Sequence, residues 1–160
     1  MAKTTIEIYD TTLRDGSQGE AVFFTLQDKL RIAEALDEFG VAYVEGGWPG
    51  SNPKDELFFA KAGKLALRNA RIVAFGSTRR KNVPAAGDPI FAKLLEGGTE
   101  CVTLFGKAWD LHVEQVFRVP LDENLRMIED SVAYLRKEGR RVFFDAEHFF
   151  DGFKADPAYA

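Results

Sequence analysis

Short apolar runs alternate along this chain with longer segments of helical period. The apolar runs lie at 5–9, 41–45, 71–76, 100–106 and 140–147. Each is rich in β-branched or aromatic residues, which is typical of buried strands. In the segments between them, apolar residues recur every three or four positions, as on one face of a helix. The pattern therefore predicts five strands separated by helices, and such alternation favours a parallel sheet with right-handed crossovers.

The predicted helices have recognisable ends. Thr25 can cap the first helix, with Asp28 three residues later, and Gly40 stands where that helix stops. Pro120 divides the fourth helical region, and the helix after it runs to Gly139. Residues suited to the starts of the second and third helices are Ser51, Asn52, Pro53, Asp88 and Pro89.

Two architectures fit this pattern. Five strands can complete an open, doubly wound sheet, whereas a (β/α)8 barrel needs eight strands and about 250 residues. Doubly wound folds usually carry a glycine-rich first turn, but the first turn here, "TTLRDGSQGE" (11–20), is polar and charged. The last segment also stops soon after the fifth strand, with no helix expected to cover it. We therefore expect residues 1–160 to be the N-terminal part of a single barrel domain, with about five βα units.

Composition and charge limit the classes of partner and the cellular location that we expect. The 160 residues carry a net charge of -4 with both signs interspersed, so nothing favours a nucleic-acid or membrane partner. No apolar run has the length of a signal-peptide core or approaches the ~20 residues of a membrane helix. Cys101 is the single cysteine, which excludes an internal disulfide, and its apolar neighbours predict burial. A cytoplasmic protein is expected.

Polar side chains cluster where the predicted strands end. In both architectures ligands bind at the C-terminal ends of strands, so these residues are the candidates for chemistry. Because side chains alternate along a strand, Asp145 and Glu147 share one face, which would point into the barrel. A buried carboxylate there needs a partner, water or a metal ion. The candidates are Arg14, Asp15, Gln18, Glu45, Ser77, Thr78, Arg79, Arg80, Lys107, Asp110, Asp145, Glu147 and His148.

Structural interpretations stay open for these residues. Arg14 and Asp15 could form a local ion pair, and Glu45 could pair with an interior arginine. Arg79 and Arg80 are expected to be one partner of a carboxylate and one exposed charge. His112 is expected to be a surface or helix-packing residue, and His148 is expected to pack or to form a hydrogen bond. The phenylalanine pairs at 23–24, 58–59, 143–144 and 149–150 are predicted to be mostly core.

Four segments resemble one enzyme family. "YDTTLRDGSQ" (9–18) closely resembles the first-strand signature of the DRE-TIM metallolyase superfamily, which includes acetyl-CoA-dependent synthases and HMG-CoA lyase. "VAYVEGGWPGSNPKD" (41–55), "FGKAWDLHV" (105–113) and "FFDAEHFFDGFKADPAYA" (143–160) are similar to its citramalate synthase branch. The resemblance covers essentially the whole chain and implies a TIM barrel.

The resemblance also implies a reaction. Acetyl-CoA, as substrate, would be condensed with a 2-oxo acid, pyruvate above all, with a divalent metal (Mg, Mn or Zn) as Lewis acid. Sibling reactions are the 2-isopropylmalate and homocitrate syntheses and C–C cleavage of the HMG-CoA lyase type. A non-catalytic α/β binding domain is the alternative of another class. Small-molecule substrates and a homo-oligomer are expected.

By the same resemblance, Asp15 is a metal ligand, and Arg14 holds the keto oxygen. Glu147 takes part in acid–base chemistry, and Gln18 and Glu45 contribute to substrate binding. Arg79, a cation after the third strand, is a further expected substrate-binding residue. The family's other metal ligands form an H-x-H pair, which His112 and His148 cannot make. We therefore expect the 160-residue chain alone to be inactive.

Overall fold

The structure, a computed structural model, describes residues 6–160, and strands and helices alternate along them. The strands are β1 (Tyr9–Asp10), β2 (Tyr43–Gly47), β3 (Arg71–Ser77), β4 (Cys101–Lys107) and β5 (Arg141–Glu147). The α-helices are α1 (Leu26–Phe39), α2 (Pro53–Ala62), α3 (Pro89–Glu96), α4 (Asp110–His112), α5 (Leu121–Lys137) and α6 (Phe149–Ala155). Short 3-10 turns lie at Gly16–Gln18 and Ala85–Gly87, and a π-helical segment lies at Val113–Phe117.

The strands form one sheet in the order β1-β2-β3-β4-β5. β1 pairs with β2, and β2 with β3, both in parallel, so that Tyr43 lies opposite Tyr9 on one side and Arg71 on the other. The register shifts between Glu45 and Gly47, at the end of β2. Sequential neighbours joined by helices are the arrangement of consecutive βα units, and the predicted fold class is confirmed.

The helix boundaries follow the local rules that predicted them. The Thr25 hydroxyl accepts the Asp28 backbone N–H at 3.1 Å, and the Asp28 carboxylate accepts the Thr25 N–H at 2.9 Å, which completes a capping box. Gly40 ends α1 in the left-handed conformation, with φ of 89°. Asn52 caps α2 by accepting the Asp55 N–H at 2.9 Å.

The chain divides into two compact units. The first unit comprises the described residues up to Phe75 together with Leu94–Cys101. Its core includes Val44, Phe58 and Val73, all fully buried. Cys101 is also fully buried and has a free thiol, as the sequence predicted.

The second unit comprises Gly76–Lys93 and Val102–Ala160. Helix α5 packs against β5, and its Tyr134 meets Phe91 edge-on with ring centroids 5.5 Å apart. Leu104 and Leu135 are fully buried in this unit. None of the helices among residues 6–160 is long and apolar enough to cross a membrane.

The first strand is shorter than the sequence predicted. Thr5, at the start of the predicted 5–9 strand, lies outside the described residues, and β1 contains only Tyr9 and Asp10. Ile6 and Ile8 are 85% and 55% exposed, so their apolar side chains do not anchor a strand here. The Ile8 carbonyl accepts backbone N–H groups from the start of β2, and the ladder begins only after it.

Two further predictions about the C-terminal segment and the phenylalanines are wrong. Helix α6 follows β5, although no helix was expected there. Its Gly152 lies against the Ala108 carbonyl, an approach that a Cβ atom would block. Of the phenylalanine pairs only 58–59 is buried, whereas Phe23 and Phe150 are 89% and 76% exposed.

Candidate active site

Local hydrogen bonds build the turn after β1. The Asp10 carboxylate accepts the Thr12 backbone N–H at 2.9 Å, and the Thr11 carbonyl accepts the N–H groups of Arg14 and Gly16 at 3.1 and 3.0 Å. Leu13 is fully buried and anchors the turn to the core of the first unit. The Asp10 side chain and the Thr11 carbonyl satisfy backbone N–H groups here, so local hydrogen bonds fix the path of the backbone that carries Arg14.

Arg14 forms a buried ion pair with Glu45, at the end of the next strand. The Arg14 Nε donates to Glu45 Oε1 at 2.5 Å, and the Tyr9 hydroxyl donates to Glu45 Oε2 at 2.6 Å. Glu45 is only 1% exposed, so both of its oxygens are satisfied without water. The interpretation that Glu45 pairs with an arginine is confirmed.

The guanidinium of Arg14 has two further neighbours. Its Nη1 donates to Asp15 Oδ1 at 3.2 Å, so the local ion pair is also present. Its Cζ lies 3.7 Å from the ring centroid of Phe75, a cation–π contact. Trp48 meets the same ring edge-on, with centroids 6.2 Å apart. Aromatic rings and one buried carboxylate therefore hold a charged guanidinium that is itself largely buried.

Asp15, which contacts Arg14, and Gln18, whose backbone N–H donates to the Asp15 carbonyl, are both exposed. The Asp15 side chain is 61% exposed. Within residues 6–160, no three His, Cys, Asp or Glu side chains are grouped closely enough to hold a metal ion. Divalent ions such as Mg and Zn take several ligands. The described residues therefore supply at most one predicted ligand, Asp15, and do not by themselves fit a metal.

In the second unit Glu147 pairs with Lys107. The Lys107 Nζ donates to Glu147 Oε2 at 2.5 Å, so the carboxylate predicted to need a partner has one. Asn124 accompanies them, because its amide donates to the Lys107 carbonyl at 2.8 Å and to the Tyr159 hydroxyl at 2.7 Å. Burial raises the pKa of Tyr159, which keeps this hydroxyl neutral. Glu147 is thus a partly exposed carboxylate held in one direction.

Arg79 forms ion pairs with two carboxylates of α5. Its Nε donates to Asp130 Oδ2 at 2.8 Å and its Nη1 to Glu123 Oε1 at 3.1 Å. Hydrogen bonds from Arg126 and Arg79 hold the pKa of Glu123 below its usual range, so Glu123 is ionised. Arg80, by contrast, is 64% exposed, which confirms one paired and one exposed arginine. A substrate-binding role for Arg79 stays a prediction.

Sequence reasoning missed one cluster in the second unit. The rings of His112 and His148 lie 4.5 Å apart, and Trp109 lies 4.7 Å from His112. His148 has a left-handed backbone, with φ of 56°, and follows directly after β5. The two histidines are far apart in the chain and share no motif, so no sequence signal announced the contact.

The fold and these strand-end side chains define a class of protein. Its members are parallel βα proteins in which an arginine in the loop after the first strand pairs with a carboxylate. The model of the family described as HMGL-like matches residues 5–159. The chain belongs to this family, which confirms the resemblance seen in the sequence.

Three individual proteins are also similar to this chain. It is 57% identical over 155 residues to the (R)-citramalate synthase of Aquifex aeolicus, covering 97% of this chain and 29% of that protein. It is 36% identical to the homocitrate synthase AksA of Methanopyrus kandleri, covering 88% of this chain and 33% of the relative. The crystal structure of the hydroxymethylglutaryl-CoA lyase of Pseudomonas aeruginosa superimposes on 87% of this chain and 45% of its own, with a TM-score of 0.66 at 21% identity. The chain thus spans less than a third of the curated synthase it matches at 57%.

Proposed function

We propose that this chain is the N-terminal part of the catalytic barrel of a citramalate synthase. Such an enzyme condenses acetyl-CoA with pyruvate and releases CoA by hydrolysis. The observation that carries the proposal is the Arg14–Glu45 pair, built on the loop after β1 in a chain 57% identical to an (R)-citramalate synthase. The lower identity of 36% to a homocitrate synthase supports pyruvate over the longer 2-oxo acid.

Arg14 would hold the keto oxygen of the 2-oxo acid. When the acetyl carbon attacks the keto carbon, negative charge moves onto that oxygen, and a fixed guanidinium stabilises it. Glu45 would contribute to substrate binding by fixing the direction of Arg14, since its two oxygens accept from the Arg14 Nε and the Tyr9 hydroxyl. Among residues 6–160, the hydrogen bonds of the Arg14 side chain use Nε and Nη1, so Nη2 would meet the substrate oxygen, and a planar fork suits that task.

Glu147 would act as the base that removes a proton from the acetyl methyl group. A carboxylate can remove this proton only if it points at the carbon, and Lys107 gives it one direction. Water then cleaves the thioester of the condensed product, so that acetyl-CoA, pyruvate and water give citramalate and CoA. Gln18 and Arg79 are proposed to contribute to substrate binding.

The divalent metal remains part of the proposal. Asp15 would be one ligand, and the other ligands would have to come from beyond the described residues. A cytoplasmic location and a homo-oligomer also stay predictions. On this proposal the 160-residue chain alone has no synthase activity, and CoA release above background by the chain itself would contradict it.

The test is an assay of the full-length gene product. CoA thiol release is measured with pyruvate, 2-oxoisovalerate and 2-oxoglutarate as competing acceptors. We expect pyruvate to give the highest kcat/KM. A preference for either larger acid would replace citramalate synthesis by one of the sibling reactions, and no release with any acceptor would reject the synthase class.

Arginine variants test the role of the pair. Arg14→Gln should lower kcat by about 10²–10³-fold, the usual cost of removing one oxyanion donor. Arg14→Lys keeps the charge but loses the fork, and Glu45→Gln keeps Arg14 while removing its counter-charge. Both should retain more activity than Arg14→Gln. Lys64→Gln, an exposed lysine away from the pair, is the control and should behave as wild type.

A further inference from the structure

The loop after β2, residues 48–52, begins with a tryptophan whose backbone is held on both sides. The Trp48 N–H donates to Asp55 Oδ2 at 3.1 Å. The Trp48 carbonyl accepts the Ser51 hydroxyl at 2.8 Å and the Ser51 N–H at 3.1 Å. Asp55 is 8% exposed and is itself paired with the buried Lys29. These bonds fix the backbone of Trp48 and so narrow the directions that its side chain can take.

The Trp48 ring packs on the neighbouring strand. It meets the Phe75 ring edge-on, with centroids 6.2 Å apart and an angle of 78° between the ring planes. Phe75, near the end of β3, is only 5% exposed, whereas Trp48 is partly exposed. Edge-to-face packing is a preferred arrangement of two aromatic rings and stabilises them beyond the burial of their area. Trp48 therefore orients the Phe75 ring and contributes to its shielding from water.

Phe75 in turn supports the guanidinium of Arg14. The Arg14 Cζ lies 3.7 Å from the Phe75 ring centroid. Hydrogen bonds to Glu45 and Asp15 engage nitrogens at the edge of the guanidinium, whereas the ring supports its face. A cation–π contact of this kind is stronger where water is excluded. Two successive contacts thus connect Trp48 with the guanidinium of Arg14.

We propose that Trp48 is a positioning residue for the reaction: through Phe75 it keeps the guanidinium of Arg14 in place and shielded from water. The inference rests on the proposed function for the identity of the reaction. Its own content is that Trp48 acts through Arg14 and not on the substrate. A donor that is already oriented in a water-excluded site stabilises a developing negative charge far more than the same donor does in water. Loss of Trp48 therefore weakens Arg14 without removing it.

The experiment is a double-mutant cycle in the full-length gene product, with pyruvate and acetyl-CoA as substrates. Trp48→Ala should lower kcat by about threefold to tenfold, the rate change that corresponds to the strength of one aromatic pair. Its KM for acetyl-CoA should not change. In the Arg14→Gln background the same substitution should change kcat by less than about twofold, because the group that Trp48 supports is already gone. Wild-type kcat in Trp48→Ala, or equal losses in the two backgrounds, would overturn the inference.

Further variants separate positioning from stability. Trp48→Phe keeps an aromatic edge toward Phe75 and should restore kcat to within about twofold of wild type, and a kcat as low as that of Trp48→Ala would contradict the inference. Tyr134→Ala is the matched control, because Tyr134 is also partly exposed and meets Phe91 edge-on, but in the second unit. It should lower the free energy of unfolding and leave kcat unchanged. Trp48→Leu keeps most of the apolar volume and replaces Trp48→Ala in the cycle if the alanine variant does not fold.

Failure of the proposed function gives a different result. If wild type releases no CoA with any 2-oxo acid, the reaction is wrong, and the contacts from Trp48 to Arg14 are then tested by urea unfolding. Trp48→Ala/Arg14→Gln should be less destabilised than the sum of the two single variants, because each substitution removes part of what the other removes. Additive losses would show that Trp48 does not act on Arg14 and would reject the inference.

Discussion

The buried pair of Lys29 and Asp55 in the first unit should make stability depend on pH once the carboxylate is removed. Lys29 is 2% exposed, and its Nζ lies 2.6 Å from Asp55 Oδ1. Burial lowers the pKa of Lys29 from its ordinary value of 10.5, and Asp55 opposes that effect. Asp55→Asn removes the opposing charge, keeps the shape, and leaves a buried ammonium without a counter-ion.

The size of the penalty follows from the cost of deprotonation. If burying the charged ammonium costs more free energy than removing its proton, Lys29 becomes neutral instead. Removing the proton costs about 1.4 kcal/mol for each pH unit below 10.5, and this cost is the upper limit of the penalty. The limit is about 4.8 kcal/mol at pH 7 and about 2 kcal/mol at pH 9. Removing one partner of a buried pair usually costs about 3–5 kcal/mol, so the pH 7 limit is within reach.

The sign of the pH dependence is fixed by proton counting. In Asp55→Asn the folded state holds Lys29 neutral over a range in which the unfolded state still binds the proton. Stability rises with pH wherever the unfolded state binds more protons. The variant should therefore recover up to about 2.7 kcal/mol relative to wild type between pH 7 and pH 9.

The assay is urea unfolding of the full-length gene product, followed by circular dichroism at both pH values. Lys29→Met/Asp55→Asn is the control, because it lacks the ammonium and should show no such recovery. It should also be less destabilised at pH 7 than Asp55→Asn, since no uncompensated charge remains. A penalty for Asp55→Asn that is equal at pH 7 and pH 9 would refute the reasoning.

Three other substitutions test single features of the first unit. Gly47→Ala should lower the free energy of unfolding by at least about 1 kcal/mol, because φ is 141° and a Cβ would lie 2.6 Å from the Asp55 carboxylate; urea unfolding measures it. Thr25→Ala should cost about 1 kcal/mol by the same assay through loss of the capping box, and an unchanged midpoint would contradict this. Asp37 accepts backbone N–H groups, that of Ala70 above all, which lowers its pKa, so its stabilisation is lost as pH falls below about 4. Asp37→Asn should flatten that acid loss in a pH titration of stability, and equal acid sensitivity of the two proteins would count against it.

The sequence predicted the ends of the first two helices well, because those ends depend on neighbours in the chain, but it missed α6. The capping roles of Thr25 and Asn52 and the left-handed Gly40 are satisfied within a few residues, and each was found where expected. The first strand was predicted too long, since a strand exists only where its partner supplies hydrogen bonds. Ile6 and Ile8 have the residue type of a strand but lie outside the ladder.

The sequence predicted which residues lie in the candidate site, but not which of them contact one another. Strand ends supplied Arg14, Glu45 and Glu147, because chemistry in parallel βα folds gathers there. Which cation meets which carboxylate depends on side-chain direction, and the sequence left the partner of Glu147 open. Lys107 is that partner, and the left-handed backbone of His148 beside it had no local signal.

The polar ending of β1 has a physical reason that the structure makes explicit. A guanidinium packed on Phe75 has lost most of its water, and this is tolerable only with a counter-charge in contact. Glu45 supplies that charge, but its own burial at 1% exposure requires a second donor, which is Tyr9. The strand must therefore deliver Tyr9 at its end and Arg14 from the turn immediately after it. The three side chains depend on one another, because loss of Arg14 leaves the buried charge of Glu45 without its counter-ion and loss of Tyr9 removes the donor to Glu45 Oε2.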